Sequence, residues 1–347
     1  MGVKGFQEFR KYFAKRRPCV AGGRKPCYSN PLINTEPITK TAFVFPGQGS
    51  QYAGMGKSLA QSYPCAGAVF EEADRVLGFS LSNLCFEGPE EELKLTENTQ
   101  PALLTVSVAA LAVLREKGVE PHYVAGHSLG EYSALVAAES LRFSDALQLV
   151  RKRGRYMQEA VPAGAGAMAA LMRLPEDKLE GVLREAARGE VVTPANLNSP
   201  DQVVIAGHAG AVQRAIELAR AAGARRATLL PVSAPFHCPL MKPAQERLAA
   251  DLAGISFADL RCPLVNNWQA AEVCSGQAAR QGLIEQVASP VRWTESVRRL
   301  IAEGAEKFIE VGPGGVLTGL LRYIDPSRKG LKFGEAEDWE KLKDASG

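Results

Sequence analysis

The chain of 347 residues is poor in the side chains that build metal and redox centres. It has four histidines and seven cysteines. The cysteines, Cys19, Cys27, Cys65, Cys85, Cys238, Cys262 and Cys274, form no C-x-x-C pair. That pattern argues against a zinc knuckle or a thioredoxin-like motif, and the odd count fits reduced thiols in a cytoplasmic protein. No apolar run is long enough to span a bilayer, and the longest, Ala102 to Leu114, reads as a buried helix. The net charge of +3 is too small to imply a nucleic-acid partner. The N-terminal region has no apolar core of a secretory signal. What is present is a hydrophobic content of 46%, enough for a large core in one or two domains.

Residues 1–40 carry nine Lys or Arg against two acids, Glu8 and Glu36. They read as a basic, disordered leader, with a transit peptide or an interaction arm as alternatives. Folding is expected to begin at Thr41. Thr41–Phe45 and Tyr123–Gly126 read as strands, and Leu59–Leu77, Ala102–Lys117 and Leu129–Glu139 as helices. Ser144-Asp145 is expected to cap a helix running to Ala160. This alternation implies a parallel α/β sheet.

The pattern changes after Pro162-Ala163-Gly164. Strand Met168–Met172, helix Pro175–Ala187, strands at Val191-Val192 and Val203–Ile205, helix Gly210–Ala222 and strand Ala227–Val232 follow in turn. A β-α-β-β-α-β order predicts a split, ferredoxin-like unit. The expected fold class is therefore α/β. A large α/β-hydrolase-like domain with a parallel sheet spans 41–162 and 234–325. A small ferredoxin-like α+β subdomain, 163–233, is inserted in it. The main part closes with strand Lys307–Val311, a Gly-Pro-Gly-Gly turn and a helix through Tyr323. The charged stretch 326–347 is expected to be a peripheral tail.

Gly126-His127-Ser128-Leu129-Gly130 is the segment richest in chemistry. It fits G-x-S-x-G between a strand and a helix, the setting of a nucleophile elbow. Such a serine sits on strained backbone at the positive end of a helix, placed to form a covalent ester. It needs a base, and histidine is the usual one. His122 reads as a surface residue. His127 adjoins the serine, so its side chain should point away. His237 lies at the junction of the two expected domains and stands ahead of His208 as the base. No acid stands out as the third group, so a backbone carbonyl or a neutral Asn or Gln could orient the imidazole.

Arg151, Lys152, Arg153 and Arg155 lie on one helix, mostly as a solvated face. Gly154 leaves a thin wall beside Arg153. A buried arginine there would grip a substrate carboxylate through its bidentate fork. The turn Gly47-Gln48-Gly49-Ser50-Gln51 lacks the lysine of a phosphate-binding loop. It could supply one amide of an oxyanion hole, with Leu129 supplying the other.

Together the segments FVFPGQGSQ (43–51), TENTQPAL (96–103), GHSLGEYSAL (126–135), RKRGRYMQEA (151–160), NLNSPDQVVIAG (196–207), PFHCPLM (235–241), EQVASPVRW (285–293) and EVGPGGVLTGL (310–320) resemble malonyl-CoA:acyl-carrier-protein transacylases. This is the acyltransferase family of fatty-acid and polyketide synthesis, and the resemblance covers 41–325. It implies that Ser128 is the acylated nucleophile, His237 its base and Arg153 the clamp for the malonyl carboxylate. It implies an oxyanion hole from the Gln48 and Leu129 amides. It places Gln286 beside the serine and histidine, and His127 at the family's histidine preceding the serine. The Phe236-His237 pair is similar to malonyl-selective members.

The resemblance further implies ping-pong transfer from malonyl-CoA to acyl carrier protein, supplying fatty acid biosynthesis. It implies no metal or cofactor, no nucleic-acid or membrane partner, a monomer and a cytoplasmic location. A serine hydrolase and a carrier-binding module with a dead site are the rival readings. The missing acid speaks against the first, and the intact Ser128 and His237 against the second.

Overall fold

The computed structural model describes residues 39–232 and 234–344. All but the last two residues of the expected basic leader lie outside the described residues. The main sheet starts at β1, Lys40–Phe45, whose Thr, Phe and Val side chains suit a strand buried on both faces. From Ala42 to Phe45 the strand is buried. Its neighbours are β2, Tyr123–Gly126, and the strand Ala305–Val311, both parallel to it.

The chain leaves this sheet for a second one of four antiparallel strands. They are β3, Gly166–Met172; β4, Val192–Ser199; β5, Gln202–His208; and β6, Arg226–Leu229. Their order is β4-β5-β3-β6, with helices Glu176–Ala187 and Ala209–Ala221 as the crossovers. This is the split β-α-β arrangement expected from the alternation of short apolar runs. The helices pack on the sheet through a separate core of Leu171, Leu183, Ile205 and Ile216.

The chain returns with β7, Leu264–Val265; β8, Glu272–Val273; β9, Ala305–Val311; and β10, Lys329–Phe333. The main sheet has the order β10-β9-β1-β2-β7-β8 and is parallel except for β8. Its largest core packs helix Thr96–Glu116 and helix Phe143–Glu159 beside β1 and β2. Asn196 of β4 bridges to Val291, in the segment between helices Gly276–Gln286 and Trp293–Ala302.

Several expectations need correction. The single helix expected at 59–77 is two, Lys57–Ser62 and Pro64–Leu77. Pro64 pushes Tyr63 into the extended region (φ −131°) and then opens the next helix at its first turn. The helix expected from Ala102 begins at Thr96 and carries Pro101 within it. Ser144-Asp145 is not a cap. The cap position is Arg142, without a side-chain hydrogen bond, and Asp145 lies in the first turn.

The described part of the expected tail, 326–344, is not peripheral. It supplies β10, the edge strand paired with β9, and buries Phe333 and Leu342. Glu335 accepts hydrogen bonds from Tyr52 and Ser58, next to the Gly47–Gln51 turn. The lysines of K-G-L-K-F masked the alternation that turns Phe333 inward.

Candidate active site

The β2 strand ends at Gly126, and the helix Gly130–Ala137 begins four residues later. Between them Ser128 takes φ 52°, the left-handed region that non-glycine residues rarely occupy. Both flanking glycines are required by contact. A Cβ on Gly126 would fall 1.9 Å from the Gly130 carbonyl carbon. One on Gly130 would fall 2.1 Å from the Phe45 oxygen. The turn is thus wedged between its own helix and the end of β1.

His237 lies in the loop before the short turn Pro239–Met241 and also has a positive φ, 58°. Its Nε2 is 2.7 Å from Ser128 Oγ. Its Nδ1 is 2.9 Å from the main-chain oxygen of Gln286. A carbonyl can only accept, so Nδ1 carries the proton and Nε2 is left to accept from the serine hydroxyl. The third member of the constellation is therefore a peptide carbonyl, one of the alternatives raised by the missing acid. Burial is the main force lowering the His237 pKa to about 3, and the Arg153 charge adds to it. The imidazole is neutral at pH 7, the form a base needs.

Arg153 is 1% exposed. Gly154 brings its helix against the start of the helix Thr96–Glu116, where a Cβ would lie 2.6 Å from the Thr96 oxygen. That approach puts Arg153 Nη1 2.8 Å from Gln100 Oε1. Its Nη2 donates to Gln286 Oε1 at 3.0 Å and to Ser128 Oγ at 3.1 Å. Among the described residues no carboxylate lies within ion-pair distance of this guanidinium, and its Nε has no partner. The nearby Glu131 carboxyl is pushed up to about 7 by burial, so it supplies only part of a counter-charge. Burial also lowers the Arg153 pKa. A buried cation hydrogen-bonded only to neutral amides and a hydroxyl leaves a place for an anion. The other basic residues of this helix are accounted for elsewhere. Lys152 pairs with Asp251, Arg155 with Glu159, and Arg151 stacks on Phe79.

Gln286 binds several of these groups at once. Its Nε2 donates to Ser128 O, Glu131 Oε2 and Asn267 Oδ1, at 3.0, 3.0 and 3.2 Å. His127 does not bond the nucleophile. Its Nε2 is 2.8 Å from Asn198 Oδ1 of β4, and its ring packs edge-on against Trp293. Burial lowers its pKa. His208 accepts from the Val191 amide, and His122 from Thr41, both away from Ser128. Among the described residues neither the Gln48 nor the Leu129 amide donates to a protein acceptor. The Gln48 side chain is 3.4 Å from Thr96 Oγ1.

The sequence reading missed Gln100, Glu131 and Asn267. Gln100 and Glu131 lie inside the motifs TENTQPAL and GHSLGEYSAL, but nothing local separates them from helix-forming residues. Asn267 follows the apolar pair of β7, and only the pleat of the sheet brings it under the elbow.

A serine hydroxyl, a neutral imidazole and a buried guanidinium without a carboxylate partner among the described residues converge at an elbow on a parallel sheet, an arrangement chemically suited to acyl transfer. The chain belongs to the family described as the acyl transferase domain, whose model matches residues 42–329. It is 52% identical over 288 residues to the malonyl CoA-acyl carrier protein transacylase of Escherichia coli (strain K12), covering 83% of this chain and 93% of that protein. It is 49% identical over 304 residues to the enzyme of that name from Bacillus subtilis (strain 168), covering 87% and 96%. Among solved structures, the acyl carrier protein S-malonyltransferase of Vibrio cholerae superposes with a TM-score of 0.86 at 48% identity, covering 88% of this chain and all (100%) of that one. A malonyl-transacylase solved in complex with a type II polyketide-synthase acyl-carrier protein matches with a TM-score of 0.86 at 46% identity, over 88% and 100%.

Proposed function

We propose that this chain transfers malonyl from malonyl-CoA to the phosphopantetheine thiol of acyl carrier protein, supplying fatty acid synthesis. It is an acyl-carrier-protein S-malonyltransferase working through a malonyl-serine intermediate. The observation that carries the substrate assignment is the Arg153 guanidinium, buried without a carboxylate partner and 3.1 Å from Ser128 Oγ. An acyl chain ending in a carboxylate one methylene from its thioester spans such a short gap.

The chemistry follows from the proton inventory. His237 Nε2 takes the Ser128 proton as Oγ attacks the thioester carbonyl. The Gln286 carbonyl holds the imidazole in the required tautomer throughout. The Leu129 and Gln48 amides are the donors for the tetrahedral oxyanion, each supplying a few kcal/mol where such donors are well placed. The C–S bond breaks, and the imidazolium returns its proton to the coenzyme A thiolate. The carrier thiol then gives its proton to His237 and attacks the ester, and the collapse breaks the C–O bond and expels Ser128 Oγ, which takes the proton back from His237 Nε2. Arg153 holds the carboxylate in both half-reactions. No metal or organic cofactor enters these steps. The enzyme acts as a monomer in the cytoplasm.

Intact mass tests this directly. Incubation with malonyl-CoA should add one malonyl group, and holo acyl carrier protein should then remove it and gain it. Ser128→Ala should gain none. A full malonyl adduct on that variant, or loss of the group to water with no transfer to the carrier, would refute the assignment.

A further inference from the structure

The strained backbone of Ser128 is held by a residue that no step above uses. Asn267 is fully buried (0% exposed) in the loop after β7, beside β2. Its Oδ1 accepts from the Ser128 amide at 2.7 Å, and its Nδ2 donates to the Gly126 carbonyl at 2.7 Å. One planar amide thus spans the elbow from its entry to its nucleophile. Asn267 is itself fixed at three further points. Its main-chain N–H donates to Glu131 Oε2 at 2.9 Å. Its main-chain oxygen accepts from Arg292 at 3.1 Å. Its Oδ1 also receives Gln286 Nε2 at 3.2 Å.

We propose that Asn267 is a positioning residue of the transfer: its amide clasps Gly126 and Ser128, fixing the left-handed serine and aiming the Leu129 amide at the oxyanion. This rests on the acyl-transfer reading of Ser128. The argument is one of geometry and complementarity. A positive φ on a non-glycine residue persists only where its surroundings over-determine it. The two orphan groups of the elbow are an N–H and a C=O, and only a side chain carrying both an acceptor and a donor satisfies both. Aspartate offers two acceptors, so one carboxylate oxygen would face the Gly126 oxygen. Alanine leaves both peptide groups without a partner. Among the described residues Asn267 makes no hydrogen bond to Ser128 Oγ, His237 or Arg153, so it acts through the elbow backbone and the Gln286 amide it holds.

The test uses the full chain with Asn267→Ala and Asn267→Asp. A fluorophosphonate probe, which labels an activated serine without needing acyl-CoA, counts working sites and gives a rate per site. Malonyl-CoA kinetics give kcat and KM. Both variants should label to the wild-type end point but about 10- to 100-fold more slowly. Their kcat should fall in the same proportion, with KM for malonyl-CoA within about twofold, because Gln100 and Gln286 still hold Arg153. The proposal is overturned if either folded variant keeps wild-type labelling and kcat per site. It is also overturned if activity falls only as the count of titratable sites falls. Asn267→Asp keeps the side-chain volume and carries the test where Asn267→Ala does not fold. If neither folds, the residue is structural and the proposal fails. Wild-type protein that labels at Ser128 but takes no malonyl would refute the substrate assignment and leave this test intact.

Discussion

Arg153 Nη2 lies 3.1 Å from Ser128 Oγ, so the guanidinium proposed to read the acyl carboxylate also touches the proposed nucleophile. In the proposed reaction, substrate choice and reactivity meet at this one atom pair.

The first expectation concerns selectivity. Arg153→Ala removes a charged hydrogen-bonding group from the carboxylate, an interaction of about 1.5–3 kcal/mol per bond. Malonyl kcat/KM should fall by about 100-fold or more, while that for acetyl-CoA changes by less than about tenfold. Parallel measurement of the two thioesters decides. Equal losses would remove Arg153 from the clamp role.

The acylation rate should carry no inflection at the ordinary histidine value. His237 is held near 3, so its active neutral form persists well below pH 6.5. A free histidine base would lose about thirtyfold by pH 5. Pre-steady-state acylation at pH 5 and pH 7 separates the cases, and a drop of that size would contradict the buried, neutral imidazole. Stability runs the other way. The unfolded chain gains a proton on this histidine below 6.5 and the folded one does not, so this group's contribution falls as pH drops from 6.5 towards 3.

Glu131 has the opposite sign. Its folded pKa is raised to about 7 from 4.5, so the folded state binds the extra proton between those values. Its contribution is complete below 4.5 and is lost as pH rises through 7. Glu131→Gln keeps an oxygen for the Asn267 amide and removes the titration. Urea midpoints at pH 5 and pH 8 should show the variant gaining on wild type as pH rises. A constant difference between the two would contradict the shifted carboxyl.

Phe333 tests the C-terminal strand. It is fully buried on β10, packed edge-on against Trp339. Phe333→Ala should cost about 3–5 kcal/mol and lower Tm by several degrees. A melt unchanged within a degree would return 326–344 to a peripheral role.

Ser128, His237 and Arg153 were legible because each sits in a local pattern with a chemical reason. The serine lies between two glycines, the histidine at a domain junction and the arginine beside Gly154. The carbonyl of Gln286 was legible only as a class, since any peptide group can accept a hydrogen bond. Gln100 and Asn267 left no local mark. Their roles arise from the approach of one helix to another and of β7 to β2. The tail was misread because charge was weighed above period, and two inward side chains outweighed its lysines.

The sequence by itself determined the elbow, the alternation of strands and helices and the inserted antiparallel unit. These follow from periodicity and from residues whose backbone preferences act over a few positions. Only the tertiary structure decided which peptide carbonyl orients His237, which amides surround Arg153 and how the Ser128 backbone is held. Those depend on atoms far apart in the chain, such as the 158 positions between Ser128 and Gln286, brought together by burial. Local preference carries no information about such pairs, because the cost of leaving a buried polar group unpaired arises only once packing has excluded water.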